Sequence, residues 1–274
     1  MSVFVGERDV VEISGPEAAT YLQGQVSQEV LSLPVGESAW SFILQPQGKV
    51  DSWFRLTRSA DDRFLLDVDA GHGEALLARI KRFLLRTKVE LDLQTWTLHA
   101  YDAPMESTPD APIVAPASDA LGVDVIGPDL GEPEGELVSF DAHEKRRILA
   151  GVPAMGPELD ENTIPAESRM VDRSVDFDKG CYTGQELVAR VDSRGDNAPR
   201  RLRIITGEGA ASAGDALSFE GGDVGQLTSV APDGEGFVAL GYVKRAALEH
   251  GSLQLGDRVV DVRPVPADRG SGES

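Results

Sequence analysis

From residue 200 onward the chain repeats one pattern. RLRIITG, ALSFE, VGQLTSVA, GFVALGYV and SLQLGDRVVDVRPV are short β-type runs separated by glycine and aspartate turns. Turn signals at roughly eight-to-twelve-residue spacing between such runs are the pattern of a small barrel or sandwich.

The first hundred residues follow another rule. Residues 9–14, DVVEIS, form a short strand, and Pro16 opens a helix to about Gln23 with Ser14 or Gly15 as its cap. Residues 38–45 and VDSWFRLTR at 50–58 flank the turn Pro46-Gln47-Gly48-Lys49, with Val50, Ser52, Phe54 and Leu56 alternating along one face. That is a hairpin. In HGEALLARIKRFLL at 72–85, Ala75, Leu76, Ile80, Phe83 and Leu84 share a helical face, while Arg79, Lys81, Arg82 and Arg86 lie largely off it. With the strands KVELDL and TWTLHAY, residues 1–105 read as an antiparallel α+β unit.

DAPMESTPDAPIVAPAS at 102–118 lacks amphipathic periodicity and reads as a linker or loop. Beyond it, 121–126 is a strand. Asp141 and Glu144 make a capping-box start for the helix AHEKRRILA, which Gly151 and Pro153 stop. The reading divides the chain into an N-terminal α+β unit (1–105), a central α+β unit (106–198), a β-rich C-terminal unit (199–265) and a disordered tail (266–274).

The formal net charge of −20 argues against direct nucleic-acid or anionic-lipid binding, because both depend on clustered lysine and arginine. No run of eighteen apolar residues and no signal-peptide pattern is present, so the expected protein is soluble, cytoplasmic and monomeric. Charge is uneven, however: residues 101–145 carry net −10, whereas 146–203 are balanced. That neutral stretch holds Arg146, Arg147, Arg190, Arg194, Arg200, Arg201 and Arg203, which suit carboxylates bidentately.

It also holds the single cysteine, Cys181, within KGCYTGQE at 179–186. One cysteine forms no internal disulfide, and His72, His99, His143 and His250 have no metal-ligand spacing, so no metal site is expected. Thr183 with Glu186 fits a capping box that places Cys181 just ahead of a helix N-terminus. Lys179 stands two residues away, and both features favour a thiolate.

Together these residues resemble the YgfZ-type folate-binding proteins, relatives of the glycine cleavage T protein, an aminomethyltransferase. KGCYTGQELVAR at 179–190 carries the resemblance, and YLQGQVSQEV at 21–30, LQPQGKV at 44–50, RRILAGVPAMGPE at 146–158 and IPAES at 164–168 follow in the same order. The resemblance implies an α+β fold: a three-unit ring with two ferredoxin-like α+β units and a C-terminal β-barrel around a tetrahydrofolate. It further implies support of iron–sulfur cluster assembly or repair, and thereby tRNA modification, with iron–sulfur proteins or assembly factors as partners. Lys179 and Cys181 are then the reacting pair. Tyr182, His143, Gln185 and Glu186 would face the pterin, and Arg147 or Arg190 the carboxylates. Whether such a chain catalyses a reaction stays open, the alternative being a folate-dependent aminomethyltransferase of the glycine cleavage type. In the transferase, the segment resembling RRILAGVP has glutamate where this chain has Leu149, and the KGCYTGQE thiol is missing.

Overall fold

The computed structural model describes residues 1–105, 111–116, 121–193 and 197–266. Among these described residues, eight strands precede the barrel: β1 (Ser2–Ser14), β2 (Ser38–Leu44), β3 (Val50–Ala60), β4 (Arg63–Asp69), β5 (Glu90–Tyr101), β6 (Ile113–Pro116), β7 (Val123–Gly127) and β8 (Glu136–Leu137). They form one sheet in the order β2-β3-β4-β1-β5-β7-β6, with β8 pairing parallel to β1. The helices are α1 (Ala18–Gln23), α2 (Gly73–Lys81), α3 (Phe140–Ala150), α4 (Pro165–Ser168), α5 (Val171–Ser174) and α6 (Gln185–Ser193).

The C-terminal runs become β9 (Arg200–Glu208), β10 (Ala216–Phe219), β11 (Gly222–Asp233), β12 (Gly236–Lys244), β13 (Ser252–Leu255) and β14 (Arg258–Pro264). They close into a barrel, β10-β11-β12-β9-β14-β13, so the α+β class with a C-terminal barrel is found. Closure removes the free strand edges that a sandwich would leave. Leu217, Leu227, Phe237, Ala239 and Leu253 fill its inside.

Four local expectations change. The 102–118 segment contains β6, which pairs with β7 and extends the sheet; Pro112 precedes this edge strand and Pro116 ends it, positions that an edge tolerates. Helix α3 is capped by Ser139, whose Oγ accepts from Ala142 N at 3.3 Å, rather than by Asp141, although Gly151 ends it in the left-handed conformation as expected. Helix α2 stops at Lys81, leaving Phe83 exposed, and Arg79 turns inward, only 7% exposed, to meet Asp51 at 2.8 Å and the Leu44 carbonyl at 3.1 Å. A buried guanidinium is tolerable there because its donors find acceptors. Strand β3 is buried on both faces, since Trp53, Arg55 and Thr57 are covered as fully as Phe54 and Leu56. The tail from 267 lies outside the described residues.

The sheet is fastened by polar contacts as well as by apolar ones. Asp9 on β1 accepts from Gly71 N and Gly73 N at 2.8 and 2.9 Å, supplying from another element the cap that α2 lacks locally. Leu76, Leu77 and Ile80 then pack into the main core, worth about 1.5–3 kcal/mol each when fully buried. Arg55 on β3 binds Asp67 on β4 and Asp124 on β7, while Arg8 on β1 closes on Asp67 and Asp69. The same core takes in Val152, Met155, Leu159, Met170, Val175, Tyr182 and Val188, so the central segment is part of the body that the first strands build.

Candidate functional site

The cysteine segment is held from both sides of the sequence. Asp176 Oδ1 accepts from Asp178 N at 2.8 Å and Lys179 N at 3.1 Å, a tight aspartate turn, and Asp176 N donates to the Ser27 carbonyl at 3.0 Å. Ser27 Oγ donates to Ser174 O at 2.5 Å and accepts from Phe42 N at 2.8 Å. Residues 174–179 are therefore tied to the 23–28 loop and, through it, to β2.

Lys179 completes the tie. Its Nζ donates to Gln23 O at 2.9 Å, Val26 O at 2.6 Å and Gln28 O at 2.8 Å, which uses the three N–H groups of an ammonium. Nζ also lies over the Tyr182 ring, 5.2 Å from its centroid. Burial pulls Lys179 down to about 8, with Glu29 and Asp176 acting against it. Tyr182 lies in the main core, and burial pushes its hydroxyl up to about 12. Cys181 sits between these two anchored neighbours and is exposed.

The helix after the cysteine begins one residue later than the Thr183 capping box predicts. Gly184 adopts φ +83°, α6 starts at Gln185, and Gln185 Oε1 accepts from Tyr182 N at 3.1 Å, so the reciprocal contact joins 182 and 185 instead of 183 and 186. The reason is tertiary. A Cβ on Gly184 would meet Gln45 O at 2.5 Å, and one on Gly48 would meet Leu187 Cβ at 2.4 Å. The LQPQGKV turn packs directly onto the first turn of α6, and only glycines fit.

Of the residues expected at the site, Lys179, Cys181, Tyr182 and Gln185 share this turn. Glu186 and Arg190 lie on the exposed side of α6. Val188, on its buried side, joins Ala166, Arg169, Val171, Asp172 and Asp192 around a cavity of about 200 Å³. Arg147 and His143 belong elsewhere, on α3, which packs against β11 and β12. Arg147 binds Glu144 at 2.6 Å, Glu158 at 3.1 Å, Val152 O at 2.6 Å and Ser229 Oγ at 2.7 Å. Burial alone lowers Arg147, but the bonds and charges of Glu144 and Glu158 overturn this and hold it above the ordinary arginine value. Its guanidinium is committed within the fold. His143 stacks on Phe4 at 4.3 Å, and burial together with Arg146 holds it down to about 4 against the pull of Glu144. Phe140, exposed at the start of α3, meets Phe4 edge-on at 6.1 Å. Arg194 lies outside the described residues.

Residue patterns alone did not single out the backbone carbonyls of 23–28 or the aromatic group beside them. Trp40 stacks on Trp53 at 4.0 Å, and the guanidinium groups of Arg55 and Arg173 lie 5.4 and 5.5 Å from the Trp40 ring. Trp40 Nε1 is buried with no hydrogen-bond acceptor among the described residues. The signal for the loop was the glutamine- and serine-rich YLQGQVSQEV; for the tryptophans there was none beyond strand alternation.

No protein-family model matches the chain. Over 216 residues, 72% of this chain, it is 34% identical to the mitochondrial iron–sulfur cluster assembly factor IBA57 homolog of Pyricularia oryzae, spanning 55% of that protein. It is 28% identical over 227 residues to the tRNA-modifying protein YgfZ of Vibrio vulnificus, covering 74% of this chain and 69% of the other. The chain is thus a homologue of IBA57- and YgfZ-type proteins. Aminomethyltransferase T of the glycine cleavage system from Bartonella henselae has the same fold, with a TM-score of 0.75 across 98% of this chain and 87% of that one at 18% identity. The chain spans little more than half the length of the Pyricularia relative and 53% of a Neurospora crassa counterpart. Among its described residues, no helix is long and apolar enough to cross a membrane, and no group of three or more histidine, cysteine, aspartate or glutamate side chains could hold a metal ion.

Proposed function

We propose that this protein binds tetrahydrofolate and supports the assembly or repair of iron–sulfur clusters, and through cluster-containing enzymes tRNA modification, with Cys181 as its reacting group. The observation that carries the reading is an exposed thiol on a turn fixed by Lys179 on one side and by the buried Tyr182 ring on the other. A nucleophile so placed is reachable and held in one position. The names of the fungal and Vibrio relatives point the same way. The partners are iron–sulfur proteins or assembly factors, and the compartment is one where clusters are built: the fungal relatives are mitochondrial by name, the Vibrio one is bacterial.

Tetrahydrofolate needs a flat apolar wall and polar partners for its ring edge. The Trp40–Trp53 pair, whose Trp40 Nε1 hydrogen has no acceptor among the described residues, is a further candidate beside Tyr182, Gln185, Glu186 and Arg190, whereas Arg147 is committed within the fold and His143 is stacked on Phe4. When bound, the folate supplies a nitrogen nucleophile that carries one-carbon units. Trp40 would offer its Nε1 hydrogen to the ring edge.

The test has two arms. Tetrahydrofolate titration should show saturable binding in the wild type and in Cys181→Ser alike. Cells relying on Cys181→Ser should lose activity of their cluster enzymes, and unchanged activity removes the thiol from the mechanism. The aminomethyltransferase reading draws on the shared fold. Release of methylene-folate from a lipoylated carrier would establish it, whereas Leu149, packed beside the barrel-facing core of α3, offers no carboxylate at the transferase's glutamate position.

A further inference from the structure

We propose that Lys179 is the positioning residue of the thiol turn, acting on Cys181 through the 23–28 loop and not as the counter-ion of a thiolate. This rests on the thiol reading above but concerns a different property, the way the turn is held. Three carbonyl oxygens at 2.6–2.9 Å converge on Nζ. An ammonium has three N–H groups, so an anionic sulfur could be served only by giving up one of these bonds. The carbonyls come from the last residue of α1, Gln23, and from the turn that follows it, where Val26 bridges to Ile43 and is fully buried. Without Lys179 they would lose that donor, and any that stayed buried would be left without it.

The loop is engaged on its other side as well. Ser27 Oγ holds Phe42 N and Ser174 O, and Gln28 N donates to Ser41 Oγ at 3.1 Å. Phe42 and Ser41 belong to β2, the strand that carries Trp40. Lys179 thus connects the cysteine turn, by one loop, to the strand bearing the aromatic pair. The charged groups acting on Nζ are Glu29 and Asp176, and the Tyr182 ring lies under it. The lysine's requirement is geometric: one small cation that directs three donors into a cup of carbonyls, which a planar guanidinium cannot do.

The test uses the full-length chain with Lys179→Met and Cys181→Ser, read by amide hydrogen exchange and by the pH profile of Cys181 alkylation with iodoacetamide. In Lys179→Met, exchange at residues 23–28 and 179–182 should accelerate by about tenfold or more while barrel amides stay unchanged, the consequence of losing more than one hydrogen bond. The midpoint of the alkylation profile should not move. A rise of about one pH unit or more would mark the lysine as the thiolate's partner and overturn the proposal. Unchanged exchange in the two segments would overturn it equally. If Lys179→Met does not fold, Cys181→Ser decides: an exposed thiol that takes no part in holding the turn can be replaced with no change in exchange at 23–28, and loosening there would mean that sulfur and lysine hold each other. Cluster-enzyme activity in cells is a separate readout, so failure of the thiol reading leaves this result legible.

Discussion

Gly48 and Gly184 meet backbone to backbone: a Cβ on Gly184 would lie 3.3 Å from Gly48 Cα, and one on Gly48 would lie 3.0 Å from Gly184 O. The contact joins two segments 136 positions apart and sets where α6 begins.

Gly48→Ala should therefore act on the thiol turn from a distance. The new methyl meets Leu187 Cβ at 2.4 Å at a backbone φ of +81°, which alanine disfavours, so unfolding stability should fall by about 2–3 kcal/mol. Chemical denaturation measures the loss. Leu187→Gly, which deletes the Cβ met at 2.4 Å, should cost less in the Gly48→Ala background than in the wild type, and a strictly additive double mutant would refute the contact.

Glu158 holds the central segment to the barrel. Its fully buried carboxylate accepts from Arg147, Ala154 N, Thr228 Oγ1 and Ser229 Oγ, and its carbonyl accepts from the Tyr242 hydroxyl. Glu158→Ala should cost about 3–5 kcal/mol, since Arg147 loses one of its two carboxylates and several donors lose their acceptor. Thermal unfolding monitored separately by barrel and sheet probes should show the two regions no longer melting together.

Acid should weaken the protein partly through His143. The ring titrates near 4 in the fold and near 6.5 when unfolded, so between these values the unfolded chain binds a proton that the native chain does not. Its contribution is present above about pH 6.5 and is lost as pH falls toward 4, by at most about 3 kcal/mol. His143→Phe preserves a stack on Phe4 and should flatten that part of the stability profile. An unchanged slope between pH 6.5 and 4 would contradict it.

Trp40→Phe separates ring from donor. The substitution retains an aromatic face against Trp53 while deleting the Nε1 hydrogen that has no acceptor among the described residues. Tetrahydrofolate affinity should drop about five- to tenfold, the worth of one hydrogen bond, with stability nearly preserved. Calorimetric titration reads the first and denaturation the second; equal affinity would take the folate ring away from Trp40.

Much of the architecture was legible in the residues. Alternation and regularly spaced glycines marked β9 to β14, and Gly151 marked the end of α3, because strand pairing and a left-handed helix stop depend on neighbours a few positions away. Local pattern misplaced Arg79, whose inward turn needs Asp51 and the Leu44 carbonyl, and it missed β6, which is a strand only through its pairing with β7.

The sequence by itself determined that a lone thiol would stand between glycines beside a lysine, since covalent order puts them there whatever the fold. Only the tertiary structure decided what the charges do. It directed Lys179 to carbonyls more than 150 residues away, closed Arg147 into its own carboxylates, and left Cys181 in solvent. The reason is desolvation: a buried cation must find acceptors wherever packing brings them, and packing is set by the whole chain at once.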